Sequence, residues 1–161
     1  LDASASIIAL NMAFGRVGCL LAGCCFGAPT SPGLFTMHAS AFEPTSPVGV
    51  AYAGDPSVSL WATQVMEIVA TSSIAVICEW LFRSRSVRSL RPGAVIVVGA
   101  GLYGFSRALL EIVRADSPRA IFGMFTIWQA LGAVMTALAL VWTLAQRRRP
   151  EVISGASGAL P

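Results

Sequence analysis

Four long apolar stretches constrain this chain more than any other feature. They cover residues 4–26, 58–82, 92–113 and 120–145. Each is close to the ~20 residues that an α-helix needs to cross the hydrocarbon core of a bilayer. Hydrophobic residues make up 55% of the 161 and charged residues only 12%, a composition of integral membrane proteins, not of soluble cores. The reading is an all-α, polytopic membrane helix bundle with about four transmembrane segments, occupying residues 1–146. Residues 147–161 read as a disordered cytoplasmic tail, since from Pro150 onward they are rich in Gly, Ala and Ser. No internal repeat and no secretory signal pattern is evident.

The basic residues set the orientation. All eleven are arginine, and most lie in two clusters. Arg83, Arg85, Arg88 and Arg91 follow the second stretch, and Arg147, Arg148 and Arg149 follow the fourth. Both clusters belong on the cytoplasmic side. The net charge of +3 therefore reports topology and excludes a nucleic-acid-binding role. The turn from Arg114 to Arg119, tempered by Asp116, then lies outside, as does the segment 28–57. That segment carries Pro29, Pro32, Pro44, Pro47 and Pro56. It reads as too irregular for a helix, with short strands near 34–38 and 48–52. Its length suits either a substrate-contacting arm or a solvated linker.

Polar residues inside the apolar stretches carry the functional signal. A charged side chain at the centre of a membrane helix costs about 2.5–3.5 kcal/mol on insertion scales, so each one calls for a partner, a wet cavity or a ligand. Arg16 sits in GRVGCLLAGCCFG, Gly15–Gly27. On a continuous helix Arg16, Cys19 and Gly23 share a face, and Gly15, Gly18 and Ala22 form an adjacent strip of small residues. Two readings stand: a helix-packing face with a snorkelling arginine, or a cation held for a ligand. In the second stretch Gln64 and Glu67 lie three apart on one face. In the third, Arg107, Glu111 and Arg114 follow at i, i+4 and i+7. An Arg107–Glu111 pair would neutralise itself, but Arg16 and Glu67 remain. All lie at similar depth toward the outer side, which suggests a polar pocket there. Arginine grips phosphate bidentately, so the pocket suits a phospholipid headgroup.

Other polar residues read more plainly. Glu79 reads as an interfacial partner for the inner arginines, and Trp128 as an interfacial anchor. Thr126 and Gln129 read either as lining the same pocket or, the favoured reading, as bonds to a neighbouring helix. His38 has no partner visible in the sequence. The cysteines are Cys19, Cys24, Cys25 and Cys78. Five residues apart on a helix, Cys19 and Cys24 point about 140° from each other. The expectation is small packing residues and no metal site.

Three separated motifs resemble the prolipoprotein diacylglyceryl transferase family. Gly15–Gly27 looks like the family's glycine-framed arginine segment. TQVME, Thr63–Glu67, is similar to its PTQLYE. YGFSRALLEIVRAD, Tyr103–Asp116, resembles its RFxxEFxR-D segment and is followed by a span resembling FTIWQALGAV. Order and spacing agree over nearly the whole chain.

The resemblance implies transfer of a diacylglyceryl group from phosphatidylglycerol to the lipobox cysteine thiol of a prolipoprotein. Glycerol 1-phosphate is released, at the outer face of the bacterial inner membrane. No cofactor is implied, and the partners are phosphatidylglycerol, the prolipoprotein signal peptide and the bilayer. By position, Arg16, Arg107 and Glu111 would be catalytic: the arginines hold the phosphate, and Glu111 orients Arg107 or relays a proton. Cys19, Gly23, Cys24, Gly27, Gln64 and Glu67 would shape the substrate site. Cys19 stands where many members carry asparagine, Cys24 where many carry glutamate. Ala62 and Met66 replace the proline and tyrosine of the second motif. The family has seven spans, so three would precede the first motif. The alternative function is a non-catalytic lipid-binding paralogue that keeps the phosphate pocket.

Overall fold

A computed structural model describes residues 1–84, 90–114 and 125–147. Its long helices are α1 (Ala5–Leu21), α3 (Thr63–Ser84), α4 (Ala94–Leu110) and α5 (Ile127–Arg147). Between α1 and α3 lie β1 (Thr36–His38), the short α2 (Pro47–Ala51) and β2 (Ser59–Trp61). Four helical segments are long and apolar enough to span a membrane: Asp2–Leu21, Thr63–Ser84, Ala94–Val113 and Ile127–Gln146. The all-α bundle reading holds. Arg85, Arg88, Asp116, Arg119 and the tail from 148 onward, on which part of the topology reading rests, lie outside the described residues, as does the start of the fourth predicted stretch.

The bundle is a chain of neighbours: α1 packs on α3, α3 on α4, and α4 on α5. Small residues make this close packing possible, because lipid tails supply no hydrophobic drive between helices. The packing stripe of α1 is Ala5, Ala9 and Ala13, all buried. Gly15 and Gly18 are exposed, with nothing near an added Cβ, so among the described residues the predicted strip at Gly15, Gly18 and Ala22 packs against no other helix. A core of Ala5, Ala9, Ile74, Ala75, Cys78 and Val95 joins α1, α3 and α4. At the α4–α5 crossing, a Cβ on Gly132 would sit 2.5 Å from the Gly104 carbonyl oxygen.

Both ends are tied by specific polar contacts. At the arginine-rich end Ser6 Oγ donates to Glu79 at 3.0 Å, and Glu79 pairs with Arg83 at 2.7 Å. The Asp2 carboxylate accepts from the Gly93 and Ile96 N–H groups at 2.8 and 3.1 Å. It thereby satisfies two orphan donors at the start of α4, whose own cap position is a glycine without a side chain. At the other end Thr126 and Gln129 exchange bonds of 3.0 and 3.1 Å. This reciprocal capping box starts α5 and replaces the expected bond to a neighbouring helix.

The segment between α1 and α3 differs from its reading. Val48–Tyr52 is not a strand: α2 forms there, with Pro47 at its first turn and the Ser46 side chain accepting from Gly49 N–H. The strand that pairs with β1 is β2, antiparallel, with Met37 opposite Leu60. Consequently α3 begins at Thr63, not near 58. Ala39, Val48 and Leu60 form a small core, with Phe26, Phe42 and Tyr52 packed against it. His38 Nδ1 lies 3.0 Å from the Ser57 carbonyl oxygen and 3.3 Å from Ser59 Oγ.

Candidate active site

The first motif does not continue as a helix to Phe26. α1 stops at Leu21, and Gly23 takes φ +62° just beyond the cap residue Ala22. The Gly23 N–H donates to the Leu20 carbonyl and the Cys24 N–H to the Cys19 carbonyl, at 3.2 and 3.1 Å. These two bonds are a Schellman cap. Gly23 therefore does not share a helical face with Arg16 and Cys19; it turns the chain back. A side chain there would also meet Phe42 and Ser46 at 3.0 Å.

After the turn, the chain threads between β2 and the end of α4. Gly27 N–H donates to the Trp61 carbonyl at 3.0 Å and Ala28 N–H to the Val113 carbonyl at 2.8 Å. A Cβ on Gly27 would collide with Trp61 Cβ and lie 2.9 Å from the Val113 carbonyl oxygen. Thr63 Oγ1 donates to the Cys25 carbonyl at 2.6 Å, and Gln64 Nε2 to the Cys24 carbonyl at 2.7 Å. Gln64, fully buried, thus acts on the backbone of the first motif. Thr63, which the sequence reading did not single out, does the same from the adjacent position.

This bracing brings the charged residues together. Arg16 Nε on α1 lies 2.8 Å from Glu67 Oε2 on α3. Arg107 Nη1 on α4 lies 3.8 Å from the other oxygen of Glu67 and 2.5 Å from Glu111 Oε2. One carboxylate therefore serves two arginines from two other helices. The Arg16–Glu67 pair is close but not aligned as a hydrogen bond, and Glu67 Oε2, Glu111 Oε1 and Gln64 Oε1 are buried acceptors without an aligned donor among the described residues. The Glu111 side chain is fully buried, Arg107 is 10% exposed and Arg16 22%. The Arg107 guanidinium also lies 5.7 Å from the Trp128 ring centroid, within cation–π range. Trp128 is therefore more than the expected interfacial anchor.

A cavity of about 310 Å³ adjoins this network, lined among others by Arg16, Tyr103, Arg107, Arg114 and Trp128. The helix ends at Leu110, and Glu111–Val113 continue as a tighter turn into an extended Arg114 that bridges to Gly27. Arg114 thus reaches the cavity through the chain's exit path, not through the i+7 helical face read from the sequence. An apolar cavity of about 230 Å³ lies next to it, lined by Ile8, Met12, Ile74 and Ile96, and Tyr103 and Met135 line both.

Cys19 and Cys24 do converge, against the 140° expectation, because that figure assumes a helix that ends before Cys24. The sulfurs of Cys19, Cys24 and Cys25 all lie within 4.8 Å of one another. Burial, together with hydrogen bonding to Cys19 and Cys25, pushes the Cys24 thiol up to about 11. It is therefore protonated at neutral pH, 3.6 Å from the Cys19 carbonyl oxygen.

Fold and site together define an integral membrane helical protein with an arginine–carboxylate network and a charged cavity at one end of the bundle. The chain belongs to the prolipoprotein diacylglyceryl transferase family, whose sequence model matches residues 1–145. It is 29% identical over 133 residues to a phosphatidylglycerol–prolipoprotein diacylglyceryl transferase of Clostridium tetani, covering 80% of this chain and 46% of that one. It is 31% identical over 152 residues to the enzyme of the same name from Dehalococcoides mccartyi, covering 94% and 52%. The chain spans about half the length of these curated relatives. No solved structure matches it.

Proposed function

We propose that this chain provides the phosphate-binding half of a phosphatidylglycerol–prolipoprotein diacylglyceryl transferase. The single observation that carries the reading is the sharing of Glu67 by Arg16 and Arg107 at a cavity that Arg114 also lines. Arg16, Arg107 and Arg114 all line the cavity, and guanidinium groups suit the planar, bidentate grip of a phosphate. The adjoining apolar cavity supports an anion with hydrocarbon attached, which fits phosphatidylglycerol.

In this reading the prolipoprotein lipobox thiol loses its proton, its sulfur forms a bond to a glyceryl carbon, and the carbon–oxygen bond to the phosphate breaks. Glycerol 1-phosphate departs. Arg16 and Arg107 stabilise charge where it develops on the leaving phosphate. Glu111 holds Arg107 in place, and Glu67 sets the spacing of the two guanidinium groups. Gln64, Gly23 and Gly27 shape the site through the backbone of the first motif. The bundle sits in the bacterial inner membrane with this end toward the outer face, because Arg83 and Arg91 mark the opposite end.

The test is expression of the complete coding sequence in a bacterium depleted of its own diacylglyceryl transferase. A reporter prolipoprotein is followed by mass spectrometry. The diacylglyceryl group is expected on the reporter, with Arg16→Ala reducing the modification roughly 100-fold or more. Full modification by the Arg16→Ala protein overturns the assigned role of Arg16. No modification from a well-expressed, membrane-inserted protein overturns the transfer reaction in favour of a lipid-binding paralogue.

A further inference from the structure

The first motif carries a second cluster that the phosphate network does not use. The three sulfurs of Cys19, Cys24 and Cys25 lie within 4.8 Å of one another, and all three residues are half-buried. Their convergence is built, not incidental. The Schellman cap at Gly23 folds Cys24 back onto Cys19. Cys25 is held at φ +59°, a conformation that L side chains rarely adopt. The carbonyls of Cys24 and Cys25 are gripped by Gln64 and Thr63 from α3. Cys78, by contrast, is buried in the α1–α3–α4 core, against Gly99.

We propose that Cys19, Cys24 and Cys25 form a three-thiolate site for a soft monovalent d10 cation, copper(I) in class. Sulfur donors select copper(I), zinc or iron–sulfur centres over harder ions. Among the described residues the group gathers no histidine or carboxylate to complete the four-ligand shell of a structural zinc site. Three sulfurs alone complete a trigonal shell. At metal–sulfur distances of about 2.3 Å they lie roughly 4 Å apart, so the present spacing closes with small side-chain rotations. A monovalent ion on three thiolates carries a net charge of about −2. Arg16 Nη1, 4.0 Å from Cys19 Sγ, places a cation beside one sulfur and offsets part of that charge, although Arg16 also pairs with Glu67. Binding involves no redox change: the three thiols give up to three protons to solvent as the metal–sulfur bonds form, so affinity rises with pH. The site does not depend on the transfer reaction.

The experiment titrates the detergent-purified, reduced protein with copper(I) under anaerobic conditions, against a chromogenic copper(I) chelator. One equivalent is expected to bind. Affinity should fall at least tenfold in C19S, C24S and C25S and stay unchanged in C78S. A measurement without variants accompanies it: bound copper(I) should protect Cys19, Cys24 and Cys25 from maleimide alkylation, mapped by mass spectrometry. Failure to compete with the chelator, or equal binding by a C24S/C25S double variant, overturns the site. Preferential retention of zinc(II) overturns the monovalent assignment. A protein isolated with a Cys19–Cys24 disulfide, lighter by the two thiol hydrogens, overturns it in favour of a redox pair.

Discussion

Glu67 is the residue on which the polar end of the bundle turns. Its two oxygens face Arg16 and Arg107, and its side chain is only 6% exposed. Removing one member of a buried ion pair leaves an uncompensated charge and costs about 3–5 kcal/mol. Glu67→Gln keeps the shape and removes the charge. It is expected to destabilise the protein by roughly that amount, read as a lower unfolding temperature in detergent. Adding Arg16→Met should return part of the loss, because two groups in contact are not additive. Fully additive effects in the double variant would show that the pair does not interact. The charged residues themselves were legible in the sequence, since a cation or anion in an apolar stretch stands out. The Arg107–Glu111 pair was legible from its i, i+4 spacing; the joining of Arg16 and Arg107 through Glu67 was not, because it spans three helices.

At the scale of elements, small residues decide how close the helices come. At the crossing of α4 and α5, Gly104 and Gly132 face each other backbone to backbone. A methyl group at Gly132 would sit 2.5 Å from a carbonyl oxygen and 3.2 Å from Ala108 Cβ, and backbone cannot give way as a flexible side chain does. Gly132→Ala is therefore expected to cost roughly 1–3 kcal/mol, measured by thermal unfolding. It should also disturb the Arg107–Trp128 contact, read as a shift in tryptophan fluorescence. An unchanged unfolding temperature would mean that the helices can separate without penalty. The α1 stripe shows why such faces are hard to read: Ala5, Ala9 and Ala13 pack, while the glycines at 15 and 18 do not. In an apolar helix every face looks alike, because the lipid-facing side is as hydrophobic as the core.

The whole molecule is a bundle that wears its apolar residues outside. Phe14, Val76, Leu138 and Val141 are each more than 60% exposed, as suits side chains meeting lipid and not water. Arg83 and Arg91 lie at one end, and the Arg16–Glu67–Arg107 network at the other. In a cysteine-free background, a membrane-impermeant maleimide applied to intact spheroplasts is expected to label T30C and to spare S84C. The reverse pattern would invert the topology and place the cavity on the cytoplasmic side.

The number of spans and the identity of the buried charges follow from composition and order alone, because a bilayer imposes one length and one polarity on every span. The family motifs, too, are readable along the chain. The partition of roles within those motifs is not. Gly23 ends α1, Gly27 admits a backbone crossing, Gln64 grips a carbonyl, and Cys19, Cys24 and Cys25 meet only after the chain has reversed. Gly23 and the cysteines turn through bonds within five residues, while Gly27 and Gln64 depend on contacts between residues about 34 to 86 positions apart. Helical periodicity describes neighbours within one element, so it cannot see what a left-handed turn and an opposing helix bring together.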